Sequence, residues 1–446
     1  MIKYIPHSAV ICPLTPNKTP LLPNHMNKTR FYAIATACLL TFTTASAQNY
    51  DEVNYDESKV PEYVLPDVLT CNDGTRVTTA KEWEQKRRPE VLETFYTQEY
   101  GRTPTEKICT THTLIAENTA ALGGLATSQQ VLFTFRGQGK TVQALLLVYI
   151  PNNRKGRVPV FIGYNFKGNH SVTTEEDILY SPFFNRLKDR SDARLVRGNQ
   201  TSRWALTEIV KRGYAVATMN YNDIFPDNAN GGPESITALF SDQSTSPEAW
   251  QALGAWAWGS SRIADWVEKQ PWANSKQMIV IGHSRQGKAA LWAGAQDTRF
   301  RVVISNDSGC GGAALSKRQF GERVGKINTT FPHWFCRAFR QYNGKEESLP
   351  FDQHELLALV APRHVYVASA EEDAWADPRG EFLAAYNASP VYALYGMKGI
   401  PSSEMPAIHH PIATDMGYHI RAGVHDVTDY DWKCYLDFCD KVFGRK

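Results

Sequence analysis

The chain has no concentration of charge of either sign. Over 446 residues, 48 lysines and arginines stand against 46 aspartates and glutamates, for a formal net charge of +2, and the two signs are interspersed. That excludes the basic footprint that nucleic acid demands and a polybasic patch for a membrane surface. The eight cysteines include no Cys-x-x-Cys pair, so nothing suggests a structural zinc site. Beyond residue 48 there are no internal repeats and no low-complexity linker. Outside the N-terminal region no segment is apolar for long enough to anchor the chain in a bilayer.

What is present is length and aromatic weight. A chain of 446 residues can bury a sizeable core, as one large domain or two modest ones. The 11 Trp, 20 Tyr and 20 Phe suit a protein that stacks rings on sugars, though large cores use the same residues.

From Met26 the sequence runs MNKTRFYAIATACLLTFTTASAQ. Lys28 and Arg30 make a basic start, residues 31–42 an apolar stretch, and Ala45-Ser46-Ala47 a small-residue cleavage site. Residues 26–47 are therefore expected to be a signal peptide. Residues 1–25 are expected to be an unstructured leader or the product of a misassigned start. The mature chain then begins near Gln48, secreted or periplasmic and without a membrane anchor, and keeps six cysteines. Export permits disulfides; Cys71 with Cys109 and Cys310 with Cys336 are the plausible pairs, with Cys434 and Cys439 as buried thiols.

Residues 48–120 read as a lead-in ending in a helical region, TAKEWEQKRRPEVLETFYTQEYG. QVLFTF and TVQALLLVYIP read as strands around the turn RGQGK. VPVFIGYNF and YAVATMNY are buried strands, and AWQALGAWAWGSSRIADWVEKQ is a long amphipathic helix. QMIVIGHS, FRVVISND and RHVYVASA then alternate with helical segments. Continuous apolar strands between helices predict a parallel sheet covered on both faces, in a single domain over 48–446. An antiparallel start followed by this alternation is the layout of an α/β-hydrolase, an α/β three-layer sandwich around a mostly parallel sheet. The long polar loop over residues 171–202 is expected to be functional.

Gly282-His283-Ser284-Arg285-Gln286-Gly287 sets a serine between glycines, directly after a strand and directly before KAALWAGA. A helix N-cap accounts for the serine but not for both glycines. A nucleophile elbow accounts for all three, because the tight turn leaves no space for side chains at Gly282, two residues before the serine, and Gly287, three after it. Ser284 is thus expected to be a nucleophile at the positive end of a helix.

A serine hydroxyl needs a base, and the base an orienting acid, in the chain order serine, acid, histidine. Downstream stand His333, His354, His364, His409, His410, His419 and His425. His425 lies in a loop before an amphipathic final helix, where the base of this fold belongs; His409 and His410 are the main rivals. The acid stays open between two positions: Asp373 follows the strand before the histidine loop, and Asp307 ends the strand before that.

With these residues the sequence resembles the glucuronoyl esterases, carbohydrate esterase family 15, over residues 60–443. The resemblance rests on GHSRQGK and on RGYAVATMNYNDIFPD, GAWAWGSSRIADW, SNDSGCGGAAL and ASAEEDAWADPRGEF, which are similar to bacterial members. It implies a serine esterase with no metal or organic cofactor. Its implied substrates are glucuronoxylan and lignin–carbohydrate esters, in which a lignin alcohol is joined to 4-O-methyl-D-glucuronate. It further implies that Arg285 serves the oxyanion and that Lys288, Glu322 and Trp375 bind the uronate. Without the family, Lys288 reads as a solvated lysine in a first turn, Glu322 as an exposed helix charge and Trp375 as core.

The chain departs from the fungal members at three places. Their disulfide links the residue before the nucleophile to the one after the histidine, here His283 and Asp426; and where they carry a glutamate, this chain has the shorter Asp307. No nucleic-acid partner is expected, and the chain is expected to be a monomer. The rival readings are an acetyl-xylan or other carbohydrate esterase, a peptidase, and a catalytically silent polysaccharide-binding protein.

Overall fold

The structure is a computed structural model describing residues 53–445 apart from 188, 190 and 243. The expected leader and signal peptide lie outside the described residues. One ten-stranded sheet runs through the fold. Its strands, in chain order, are β1 (Cys109–Ala121), β2 (Ala126–Gly137), β3 (Lys140–Pro151), β4 (Val158–Asn165), β5 (Ala215–Asn220), β6 (Ala273–His283), β7 (Phe300–Asn306), β8 (His364–Ala370), β9 (Ile412–Ala413) and β10 (Gly417–Arg421). In space they are ordered β1-β2-β3-β5-β4-β6-β7-β8-β10-β9. The five pairings from β5 to β10 are parallel, and β1, β2, β3 and β9 pair antiparallel at the two ends.

The burial of each strand follows from its neighbours. β4, β5 and β8 are buried at every position; both their faces are covered, which is why they read as unbroken apolar runs. β1 stands at the edge and is half-buried along most of its length. Its polar alternation, CTTHTLIAENTAA, hid it inside the expected lead-in.

Five helices matter to the site: α1 (Arg88–Gln98), α2 (Ala252–Val267), α3 (Arg285–Gln296), α4 (Pro378–Ala393) and α5 (Asp429–Phe443). Two apolar cores lie on the two faces of the sheet. One gathers Trp256 of α2, Trp292 of α3 and Phe382 of α4 over Val160 and Ile162 of β4. The other gathers Trp432, Tyr435 and Phe438 of α5 over Phe161, the residue between them. Alternate side chains of one strand thus feed opposite cores, as the period of two requires. The lead-in is part of the same body: Tyr100 stacks on Trp292 of the helix that starts at the serine, ring centroids 4.7 Å apart. Among the described residues no helix is long and apolar enough to cross a membrane.

The cysteine pairing is corrected. Cys71, Cys310 and Cys336 are free thiols, so neither Cys71–Cys109 nor Cys310–Cys336 forms. All three are buried among core residues and fill space as small apolar side chains. Cys434 and Cys439 are free and buried as expected.

Candidate active site

The chemistry-bearing residues stand at the carboxyl ends of neighbouring parallel strands, where open α/β sheets form their ligand crevices. Ser284 follows β6, Asp307 follows β7, Asp373 follows β8 and His425 follows β10. They meet in one cleft of about 320 Å³, whose walls also carry Arg285, Lys288, Glu322, Phe331, Trp334 and Trp375. All eight residues singled out in the sequence are therefore together. None of the described residues of the 171–202 loop lines this cleft, and His409 and His410 are solvent-exposed and do not line it either.

Ser284 has φ 57° and ψ −129°, a backbone strained for a residue with a side chain. Its N–H donates to Asn306 O at 2.8 Å, and its own carbonyl accepts from Gly287 N at 2.8 Å, so the turn is locked from both sides. The flanking glycines are required by space. A Cβ on Gly282 would lie 1.9 Å from Gln286 O, and one on Gly287 2.9 Å from the Ser308 side chain.

His425 Nδ1 lies 2.5 Å from Asp373 Oδ2, and the Asp373 side chain is 5 % exposed against 40 % for the histidine. A buried acid thus holds one ring nitrogen while the ring itself opens to the cleft. The loop carrying His425 is wrapped around Arg421. This arginine donates to Val424 O at 3.1 Å and Asp426 O at 2.6 Å, and pairs through Nε with Asp431 at 2.8 Å. Asp426 next to the histidine pairs with Arg203 at 2.5 Å. His283 donates from Nδ1 to Asn306 Oδ1 at 2.6 Å.

The second candidate acid is also close. A carboxylate oxygen of Asp307, one of Asp373 and a ring nitrogen of His425 all lie within 4.8 Å of one another. Asp307 is otherwise engaged: its Oδ2 accepts from Asp426 N at 3.3 Å and lies 3.6 Å from Arg421. Burial, with Glu381 and Asp373 nearby, raises its pKa well above the usual carboxylate range. The direct partner of His425 is Asp373. This trio is also the one group of three or more His, Cys, Asp or Glu side chains among the described residues close enough to hold a metal ion.

On the other side of the serine the cleft is cationic. The Arg285 guanidinium pairs with Asp227 through Nη1 and lies over Trp334, 4.7 Å from the ring centroid. Its Nε is buried and has no partner among the described residues. Lys288 is buried on α3, and its Nζ donates to Ser308 O and, at 2.6 Å, to Cys310 O. Burial lowers its pKa, against the pull of Glu322. Glu322 has the converse environment: burial raises its pKa, the Lys288 charge opposes this, and its Oε1 has no partner among the described residues. Trp375 is 36 % exposed, a large ring left open at the mouth of the cleft.

Sequence reasoning missed Asp227, Phe331 and Trp334. Phe331 and Trp334 stack face to face at 3.8 Å beneath Arg285. Asp227 ends the quoted stretch NYNDIFPD, the one local sign of it.

A buried acid on a histidine, a strained serine on a strand-to-helix turn and a ten-stranded, largely parallel sheet define an α/β-hydrolase. The comparisons narrow the class. The family described as "Glucuronyl esterase, fungi" matches residues 201–396. A carbohydrate esterase of an unknown prokaryotic organism is 46 % identical over 402 residues, 87 % of this chain and 91 % of that protein. The 4-O-methyl-glucuronoyl methylesterase of Schizophyllum commune is 29 % identical over 79 % of each chain. Among solved structures, a glucuronoyl esterase from Solibacter usitatus superposes with a TM-score of 0.81 at 44 % identity, over 87 % of this chain and all of the other. The chain belongs to the glucuronoyl esterases of carbohydrate esterase family 15 and is a carboxylic ester hydrolase.

Proposed function

We propose that the protein hydrolyses esters of 4-O-methyl-D-glucuronate carried on glucuronoxylan, releasing lignin-type alcohols, with Ser284, His425 and Asp373 as nucleophile, base and orienting acid. The observation that carries this reading is the 2.5 Å hydrogen bond between His425 and buried Asp373 in the cleft that Ser284 also lines. The substrate class is supported by the relatives whose names specify it.

Ser284 Oγ attacks the ester carbonyl carbon while His425 takes its proton, leaving a tetrahedral oxyanion. The oxyanion forms at the start of α3, where the Arg285 N–H has no carbonyl to serve within the helix, and the Arg285 guanidinium adds positive charge where negative charge develops. Collapse breaks the bond to the alcohol, which leaves with the proton from His425. Water, deprotonated by the same imidazole, then releases the uronate and restores the serine. Asp373 keeps the ring oriented and steadies the imidazolium without itself taking the proton. Lys288 and Glu322 supply a donor and an acceptor for sugar hydroxyls, and Trp375 a face for the ring. We further infer that the precursor is exported, with cleavage after Ala47, and that residues 48–446 form one catalytic domain.

The test offers purified protein benzyl glucuronate, methyl glucuronate and acetylated xylan, beside Ser284→Ala. Uronate esters are cleaved by the parent and not by the variant. Release of acetate alone refutes the substrate assignment, and equal activity of the variant removes Ser284 from the mechanism.

A further inference from the structure

Asp227 does not line the cleft, yet its carboxylate accepts four hydrogen bonds, two of them from Arg285 and Trp334 of the cleft wall. Its Oδ1 accepts from His333 Nε2 and from Trp334 Nε1, each at 2.8 Å. Its Oδ2 accepts from Tyr221 OH at 3.0 Å and from Arg285 Nη1. Four donors from three separate stretches of chain thus converge on a side chain only 6 % exposed. Burial works to raise its pKa, but the bonds from His333 and Trp334 and the Arg285 charge bring it down to about 2, so the carboxylate is ionised throughout the working range of an esterase.

The convergence has a geometric result. An arginine side chain carries about 2 kcal/mol of rotamer entropy, and one at a cleft edge samples many positions. Here one end of the guanidinium is tied to Asp227, and its face lies on Trp334. Trp334 is itself aimed by its indole N–H on the same carboxylate. A single group therefore sets both the edge and the face of the cation. A carboxylate paired with Arg285 alone would cancel much of its field at the serine; here Asp227 also accepts from Tyr221, His333 and Trp334, so its negative charge is shared among four donors. Preorganised charge of this kind does its work only if it stands still while the oxyanion forms.

We infer that Asp227 is a positioning residue, fixing where the Arg285 guanidinium meets the negative charge of the tetrahedral intermediate. This rests on the reading of Arg285 given above. The test is a kinetic cycle on benzyl glucuronate with the parent, Asp227→Asn, Arg285→Ala and the double variant, each checked by near-UV circular dichroism.

Asp227→Asn lowers kcat by about 10- to 100-fold, less than the roughly 10²- to 10³-fold lost with an oxyanion donor itself, and moves KM by less than about threefold. In the Arg285→Ala background the same change costs less than about twofold, because nothing is left to position. An unchanged kcat in Asp227→Asn, or losses that multiply in the double variant, overturns the inference. If Asp227→Asn does not fold, Trp334→Phe carries the cycle: it keeps an aromatic face beneath Arg285, removes the indole N–H with the pyrrole ring, and gives a smaller fall in kcat that again vanishes without Arg285. A parent inactive on benzyl glucuronate refutes the substrate reading instead, and the cycle is then run on 4-nitrophenyl acetate.

Discussion

The imidazole of His283 lies against that of His425, with ring centroids 4.4 Å apart. Burial holds the pKa of His283 well below the usual imidazole value, and the neighbouring His425 acts in the same direction. A neutral ring therefore backs His425, the proposed base, and adds no like charge to the imidazolium it would form. His283→Ala removes that backing and is expected to lower kcat about tenfold or more, since small misplacements of a reacting group are costly. His283→Phe, which keeps a ring face and gives up the Asn306 hydrogen bond and the longer contact with Asp307, stays within about fivefold. Steady-state kinetics on benzyl glucuronate measures both; equal loss in the two variants would mean that the face is irrelevant.

The two acids near His425 are separable by isosteric amides. Asp373→Asn disturbs the tautomer of the ring it touches and is expected to cost about 10³- to 10⁴-fold in kcat. Asp307→Asn touches the loop only through the Asp426 N–H and the side of Arg421. Its expected cost is about tenfold or less, as for the loss of one hydrogen bond. The reverse order would reassign the acid.

Trp375 separates binding from chemistry. Its ring is open to the cleft and, on the proposed reading, faces the sugar rather than the reacting atoms, so Trp375→Ala removes interaction common to ground and transition states. Stacking is worth about 0.5–1.5 kcal/mol, which corresponds to a rise in KM of up to about tenfold with kcat within threefold. A fall in kcat at constant KM would place the ring in the transition state.

Stability should carry the mark of Glu381. This buried glutamate accepts Ser308 N at 2.8 Å and Gly309 N at 3.0 Å, beneath the loop that follows Asp307. Burial, only partly offset by the Ser369 hydroxyl and these amides, raises its pKa to about 8. Below pH 4.5, the ordinary value, folded and unfolded chains both hold the proton, and the group adds no pH dependence. Above that value the unfolded chain releases it while the folded chain keeps it, so stability declines as pH rises, until about pH 8. Glu381→Gln keeps the acceptor and cannot ionise. Its Tm is expected to fall less than that of the parent between pH 5 and 8, by differential scanning calorimetry; parallel curves would show that Glu381 is already ionised in the folded protein.

The legible part of this protein is the part written locally. Ser284 and its glycines, His425 before the last helix and Asp373 after β8 are each marked by the few residues around them. Asp227 is not, because its partners Tyr221, Arg285, His333 and Trp334 meet it only once β5, α3 and the 331–334 loop have come together. The thiols were misread for a related reason. Spacing along the chain carries no information on which buried side chains face each other, and Cys310 and Cys336 went into the core as apolar filling. β1 escaped notice because half-burial at a sheet edge leaves a polar sequence.

Lys288 holds a last consequence. Its ammonium is fastened between the carbonyls of Ser308 and Cys310, and its stem is buried along α3. A lysine at a sugar site ordinarily surrenders about 2 kcal/mol of rotational freedom when the ligand arrives. Here that freedom is surrendered during folding, and the remaining proton of the ammonium has few directions left to point. On the proposed reading of Lys288 as a sugar contact, a uronate then meets a donor whose position was set during folding and not on binding.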